Sequence, residues 1–423
     1  MASESKTSKK EHAPAAQDDS DQHAGLKYEL GILEKLVSFN TDAETKQNYV
    51  SCAKYIEREA NRLGLKVTRL EPTAKDGLPR PNLIIELNKG GEETILLVTH
   101  YDVVAPGDGW AKRNPFKMAR KGRFLYGRGV NDDKGAIAAA LGALRKLKRE
   151  KKLRRNVKLV VACDEEVGGR YGIKYLSARR RRTLKADMAI VLDSKLRHIG
   201  NGCSGVIWGK LKFRGTQGHA AYYHRNENIL ENVLPFLKDL TSEYRAMRET
   251  RRSQGDASNG KYPKVWGRFA LTFLHAGYKT NIIPGQVVAG FDIRALPEEN
   301  VRHVMREFRS YVREKLKSYN LQDSHATLIM RGSNGYLTDR NSPFILELKK
   351  TMRGLTGDTY KAYAALGGDD GRFIARMGIP VASLGPGGRG AHSEKERITL
   401  GEIALTREMI KRTCAYPESK KKR

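Results

Sequence analysis

Acidic and imidazole side chains stand at the ends of apolar runs in four places. They are His100 with Asp102 in "LLVTHYDVV", Asp132 with Asp133 in "VNDDKG", Glu165 with Glu166 in "ACDEEVG", and Asp193 in "IVLDS". Residues two apart on a strand share a face, so Asp102 can stand beside His100 and hold its ring, as carboxylates do for imidazoles that bind metals. A lone His100 would read as a hydrogen-bonded core histidine, but three further carboxylate groups recur at equivalent places. Glu165 and Glu166 are adjacent, and two like charges side by side cost energy unless a cation compensates or one holds a proton. A metal resolves that conflict: one Glu binds the ion while the other stays free as a general base acting on an activated water. Asp132 and Asp133 precede "KGAIAAALGAL", so either also reads as a helix cap.

Open α/β sheets build their sites where strands end, and the surrounding pattern fits that plan. "YELGILEKLVSF" and "YVSCAKYIEREANRLGL" carry apolar residues at helical spacing. Short apolar runs at "NLIIEL", "TILLVTH", "VKLVVACDEE" and "MAIVLDS" surround the helical "DDKGAIAAALGALRKLKRE", which argues for a largely parallel sheet under helical layers. After Ser194 the texture changes to alternating strands, "GVIWGKLKFRGTQGH", "GRFALTFLHAG", "GQVVAGFDIRAL" and "HATLIMR", with helices at "NILENVLPFLKDLTSEYRAM" and "VRHVMREFRSYVREKLKSY". A β-α-β-β-α-β order with one-sided strands predicts a small α+β domain inserted into the first. Within it, "RRSQGDASNGKYP" reads as a polar surface loop. The expected organisation is a disordered polar tail over 1–25, a catalytic domain over 26–202 and 334–416, an inserted domain over 203–333 and a basic tail over 417–423.

At 423 residues the chain exceeds what a single core sustains. No apolar run approaches the roughly 18 residues of a membrane helix, and the N-terminal stretch has no signal-like apolar segment, so a cytoplasmic protein without a membrane partner is expected. Cys52, Cys163, Cys203 and Cys414 lie far apart with no CxxC, which points to ordinary thiols. The net charge of +30 attracts anions. Its basic runs, "RKLKREKKLRR", "ARRRR" and "KKKR", lack aromatic interleaving or a recognition-helix motif, so a solvated surface that steers anionic substrates is expected rather than a nucleic-acid partner.

In order, over about Leu26 to Ile410, the segments "THYDVV", "YGRGVNDDKG", "CDEEVGG", "VLDS", "RGTQGHAAYYH", "TNIIPGQVVAGFDIR", "GGDDGRFIARMGIP" and "GPGGRGAHSEKE" resemble the M20 family of metallohydrolases. That family includes acetylornithine deacetylase, succinyl-diaminopimelate desuccinylase, aminoacylase, glutamate carboxypeptidase and related dipeptidases. The resemblance implies an α/β zinc-hydrolase fold with an inserted dimerisation or lid domain. It implies two zinc ions, with cobalt or manganese as alternatives. Asp132 would bridge them, His100 and Asp193 would complete one, and Glu166 and His392 would complete the other. Glu165 would be the general base and Asp102 would orient His100. His219 would reach a neighbouring subunit's active site to stabilise the oxyanion, which implies a homodimer through the insert. Asn281 and Arg294 resemble the family's polar substrate contacts, and Gly367 and Gly368 would let backbone approach the substrate. Read alone, His392 is a loop histidine, His219 an exposed strand-end histidine, Arg294 a surface charge and the two glycines a plain turn.

"TQGHAAYYHRNENILENV" and "GGDDGRFIARMG" look most like the desuccinylase and its deacetylase relatives. Two departures bear on substrate: the family's Thr-Ser pair after the glycines is replaced by Asp369 and Asp370 with one residue fewer, and Asp193 stands where desuccinylases have Glu. The resemblance therefore implies hydrolysis of an amide bond in a small anionic or zwitterionic N-acyl amino acid. An M20-type dipeptidase or carboxypeptidase is the alternative, and a non-catalytic nucleic-acid binder on the same scaffold ranks last.

Overall fold

The computed structural model describes residues 25–416, apart from 111–112, 226, 259, 320 and 322–325. Both predicted tails, Gly25 excepted, lie outside the described residues. In chain order the principal strands are β1 (Lys66–Leu70), β2 (Asn82–Leu87), β3 (Glu93–His100), β4 (Arg155–Ala162), β5 (Met188–Val191) and β6 (Ile199–Cys203). Then come β7 (Gly205–Arg214), β8 (Arg268–Ala276), β9 (Gln286–Ala295) and β10 (Ala326–Ser333), followed by β11 (Tyr336–Leu337), β12 (Ala362–Ala365) and β13 (Val381–Ser383). The large sheet runs β1-β2-β4-β3-β5-β13-β6-β11, with β12 beside β6.

Its centre, β4-β3-β5-β13, is parallel. Its margins are not: β1, β2 and β4 pair antiparallel, and so do β6 and β11. Parallel strands covered on both faces read as unbroken apolar runs, and β3 shows why. Ile95 and Leu97 enter the core on one face, while Leu96 and Val98 enter the core on the other. That run ends on His100, at the carboxyl edge where the strands open.

The helices are α1 (Lys27–Val37), α2 (Tyr49–Arg62), α3 (Lys134–Leu147), α4 (Ile173–Arg179), α5 (Ile229–Asp239), α6 (Val301–Ser318), α7 (Pro343–Thr356), α8 (Gly371–Ala375) and α9 (Leu400–Cys414). On one face of the sheet, α3 is an Ala-Gly-Leu helix buried along most of its length, packed by α1 and α9. Gly142 is what lets α1 come so close, since a Cβ there would sit 2.2 Å from Glu29 Oε1. On the other face, α4 and α8 cover Leu96, Val98, Val160 and Ala189 with Ile173, Leu176, Phe373 and Ile374. α9 starts on a capping box in which the Thr399 side chain and the Glu402 side chain satisfy each other's backbone amides.

Strands β7–β10 form a separate antiparallel sheet in the order β8-β9-β7-β10. The alternate residues Ile207, Leu211, Phe213, Val287, Phe291 and Ile293 face Phe236 of α5 and Phe308 and Val312 of α6. The helix predicted around "NILENVLPFLKDLTSEYRAM" is α5 continued by a π-helical turn, Leu240–Tyr244, and a further turn, Arg245–Glu249. The predicted loop "RRSQGDASNGKYP" is partly structured instead: Arg252–Asp256 pairs with Lys264–Trp266. Its polar letters are used inward, because Ser253 Oγ donates to Glu298 and Gly255 packs against Leu337 and Ala364. No described helix is long and apolar enough to cross a membrane. All four cysteines are buried and unpaired.

Candidate active site

The carboxyl edge of the parallel strands gathers the predicted ligands into two groups that share one residue. His100, Asp132 and Asp193 offer ligand atoms within 4.8 Å of one another, and so do Asp132, Glu166 and His392. His100 Nε2 lies 3.2 Å from Asp132 Oδ1 and 4.0 Å from Asp193 Oδ2. On the far side, His392 Nε2 lies 3.2 Å from both Asp132 Oδ2 and Glu166 Oε2. Asp132 thus presents one oxygen to each group. His392 reaches inward from a loop, held at φ +63° in the left-handed region.

The donor set fits a divalent cation pair. His100 Nδ1 lies 3.0 Å from the Asp102 backbone oxygen, which can only accept. Nδ1 therefore carries a proton, and Nε2 is the nitrogen that faces the cluster. Nε2 is buried yet makes no hydrogen bond, and Glu166 Oε1 is orphaned in the same way. Buried polar atoms left without partners are uncommon and ask for an explanation.

Electrostatics point the same way. Burial, then the Asp132 and Asp133 charges, raise Asp193 well above the usual carboxylate range. Burial also raises Glu166, against the pull of His392. Burial would raise Asp132 too, but its contacts with His100 and His392 outweigh that and hold it low. Those contacts in turn hold a proton on the imidazoles. His392 is pushed up to about 10 by Asp132 and Glu166, and His100 rises despite its burial because Asp102 and Asp132 flank it. The cluster takes from protons the positive charge that cations would supply.

Glu165 stands beside this cluster in the turn Glu165–Val167. Burial, then the charge of Asp370, raises its carboxyl well above the ordinary range. Among the described residues nothing hydrogen-bonds to that carboxylate, which leaves both oxygens free to handle a proton.

Asp102 stands against the His100 ring and makes a second set of contacts as well. Its carboxylate is 3.6 Å from His100 Nδ1, and the backbone carbonyl makes the closer contact. The two carboxylate oxygens also accept the amides of Glu165 (3.2 Å) and Glu166 (3.1 Å). Asp133 occupies the N-cap position of α3, but its side chain makes no capping bond and instead accepts from Thr99 Oγ1 at 2.6 Å.

Two supporting acids escaped sequence reasoning. Glu396 is fully buried, accepts the amides of Asn131 (3.1 Å) and Asp132 (3.2 Å), and pairs with Arg128. Asp370, buried at the start of α8, faces Glu165 electrostatically and is pushed up to about 6 by burial. Neither sits at the end of an apolar strand, so the pattern that found the others passes them by.

The insert's candidates are not drawn into the cluster. His219 is exposed on a two-residue strand, Gly218–His219, paired with Ile282–Ile283, and its Nδ1 accepts the nearby Ala221 amide. Asn281 is its neighbour, its backbone oxygen accepting from Ala220. Arg294 on β9 donates to Asp292 at 2.8 Å. Gly367 has open space where a side chain would stand, whereas a Cβ on Gly368 would come within 2.5 Å of Arg372 Nη1.

Comparison with known proteins matches this arrangement. A family model described as peptidase family M20/M25/M40 covers residues 96–415. A succinyl-diaminopimelate desuccinylase of a Nitratiruptor species is 28% identical over 329 residues, covering 76% of this chain and 84% of that protein. One from Marinobacter nauticus is 30% identical over 331 residues, covering 74% and 83%. The solved structure of the M20 family metallo-carboxypeptidase Sso-CP2 from Sulfolobus solfataricus has a TM-score of 0.73 at 20% identity, covering 90% of this chain and 97% of that one. At that identity the likeness is one of fold.

Proposed function

Because the chain belongs to peptidase family M20/M25/M40 and is an amide-bond hydrolase of that family, we propose that it removes the acyl group from a small N-acyl amino acid with the help of two zinc ions. The observation that carries this reading is the pair of ligand groups sharing Asp132. His100, Asp132 and Asp193 would hold one ion, and Asp132, Glu166 and His392 the other. When bound, such a pair supplies Lewis acidity toward a water molecule and the scissile carbonyl.

The remaining work falls to this chain's own groups. Glu165 takes the proton from the attacking water and returns it to the departing nitrogen, a role suited to a carboxylate with a raised pKa. Asp102 clamps the amides of Glu165 and Glu166, so that base and ligand are set by one buried carboxylate. Glu396 does the same for Asp132. His219 and Asn281 would complete the site from the second copy in a homodimer formed through the insert, with Arg294 and the backbone at Gly367 and Gly368 contacting substrate. Support for the dimer lies in exposed apolar side chains on the insert, among them Trp208, Leu274, Ile329 and Tyr278.

A peptide substrate is the second reading, favoured by one observation. Asp369 engages the hydroxyls of Tyr336 (3.3 Å) and Ser383 (3.0 Å), so the loop after Gly368 presents acid rather than free hydroxyls. An acidic lining suits an ammonium end better than a carboxylate. Assaying zinc-loaded protein on N-succinyl and N-acetyl diamino acids beside dipeptides decides between the two. Faster turnover of the acyl compounds supports deacylation, and faster turnover of dipeptides supports the second reading. No hydrolysis of either class refutes both.

A further inference from the structure

The corner where the insert meets the catalytic segments gathers more cations than acids. Arg376, just beyond α8, donates from Nη2 to Ser333 Oγ at 3.4 Å, two residues past Arg331 on β10. The Asn334 side chain accepts the amide of Val301 at 3.0 Å, which brings Arg302 on the first turn of α6 to the same corner. Across from them, α4 and α8 meet over Gly169, where a Cβ would lie 3.1 Å from Asp370 Oδ1, 3.4 Å from the Phe373 ring and 3.9 Å from the Lys174 amide. Lys174 and Arg372 stand on these two packed helices.

Arg372 forms the floor. It is only 7% exposed, and its Nε is buried without a hydrogen-bond partner. Its Nη1 occupies the space that a side chain on Gly368 would need. Among the described residues none of Lys174, Arg302, Arg331, Arg372 and Arg376 forms an ion pair. Asp369 and Asp370 act on Arg372 through space, but Asp369 is committed to Tyr336 and Ser383 and neither reaches it as a partner. Crowding is felt at Lys174, whose ammonium is held below its usual range by burial and by Arg376, Arg372, Arg170 and Arg331. Two buried acids, Asp369 and Asp370, stand against five cations here, and the excess positive charge favours an anion.

We infer that this corner binds a phosphate group, with the Arg372 guanidinium beneath it and Lys174, Arg302, Arg331 and Arg376 around it. Guanidinium forks match phosphate oxygens in pairs, and this many cations suits a dianion better than a single carboxylate. Arg302 and Arg331 come from the insert, and Lys174, Arg372 and Arg376 from the catalytic segments. A phosphate held there ties the two parts together. The inference does not depend on which amide the enzyme cleaves. A phosphorylated metabolite and a nucleic-acid backbone share this chemistry, and the corner is shaped for one group rather than a track.

The test follows the melting temperature of the zinc-loaded full-length protein during titration with inorganic phosphate, against sodium chloride of equal ionic strength. Phosphate should raise Tm by a few degrees, as ligands that bind only the folded state do. The double variant Arg302→Ala, Arg331→Ala should lose that rise, and Arg302→Gln alone should weaken phosphate binding about tenfold by calorimetric titration. Arg145→Ala, on a different basic face, should keep the full response. No rise in the wild type, or the same rise in the double variant, overturns the inference. So does a rise produced only by a single-stranded oligonucleotide, which would make the corner part of a nucleic-acid surface.

Discussion

The carboxyl edge of the sheet and the tip of the insert both carry histidines and polar groups, yet they are built in opposite ways. At the sheet edge three of the five ligands are fixed by buried contacts: His100 by the Asp102 carbonyl, Asp132 by Glu396, and Glu166 by Asp102. At the insert tip His219 and Asn281 are exposed and touch only their own ribbon. Prepaid geometry is what charge stabilisation and metal binding require. The first region is therefore largely pre-set within one chain, while the second is not.

That contrast is broken most severely at Glu165. Glu165→Ala should lower kcat by about 10²–10⁴-fold while both metal equivalents stay bound, the range expected for loss of a general base. In the parent enzyme kcat/KM should fall as pH drops, because the base works only when deprotonated, and the fall should begin above the ordinary carboxylate range. An unchanged kcat in the variant would remove Glu165 from its role.

His219→Ala should cost about 10²–10³-fold in kcat, the size of a lost oxyanion donor, with metal affinity untouched. Mixing it with Glu165→Ala sharpens the comparison. If His219 works in trans, mixed dimers recover activity because one of their two sites is intact. If it works in its own subunit, the mixture stays dead.

Asp102→Asn and Glu396→Gln act one step away from the ligands. Each should weaken metal binding by about 10–100-fold, as outer partners of metal sites do. Arg294→Ala, at the far end of β9 from the insert tip, should change KM and leave metal affinity alone.

The smallest expected effect concerns Asp133, buried and pushed up to about 8. Folded protein keeps this proton until pH nears 8, whereas the unfolded chain loses it near the ordinary value, so the folded state binds more protons between them. Stability from this group is full at low pH and is lost as pH rises through that window. Asp133→Asn stays neutral and should flatten the decline, so its Tm advantage should be larger at pH 8 than at pH 5. An advantage independent of pH would contradict this.

Much of the site was legible because apolar strands in a parallel sheet must end somewhere, and His100, Glu165, Glu166 and Asp193 mark those ends. The alternation in β7 and β9 likewise shows which residues face α5 and α6. What stayed hidden depends on contacts between distant segments. "HSEKE" looks like a charged surface turn, yet Glu396 is fully buried because the amides of Asn131 and Asp132 and the Arg128 guanidinium converge on it. Asp102 was read through its neighbour two residues away, while its further partners, the amides of Glu165 and Glu166, lie more than sixty residues on. The Arg252–Asp256 strand has loop-like letters, and its pairing with Lys264–Trp266 and its contacts with Glu298, Leu337 and Ala364 hold it as a strand.

The account turns on whether Asp132 joins two cations. Titrating metal-free protein with zinc, and locating the ions by anomalous diffraction, measures this directly. Two equivalents are expected, one between His100, Asp132 and Asp193 and the other between Asp132, Glu166 and His392. A single equivalent away from Asp132, or two ions placed elsewhere on the chain, would contradict it.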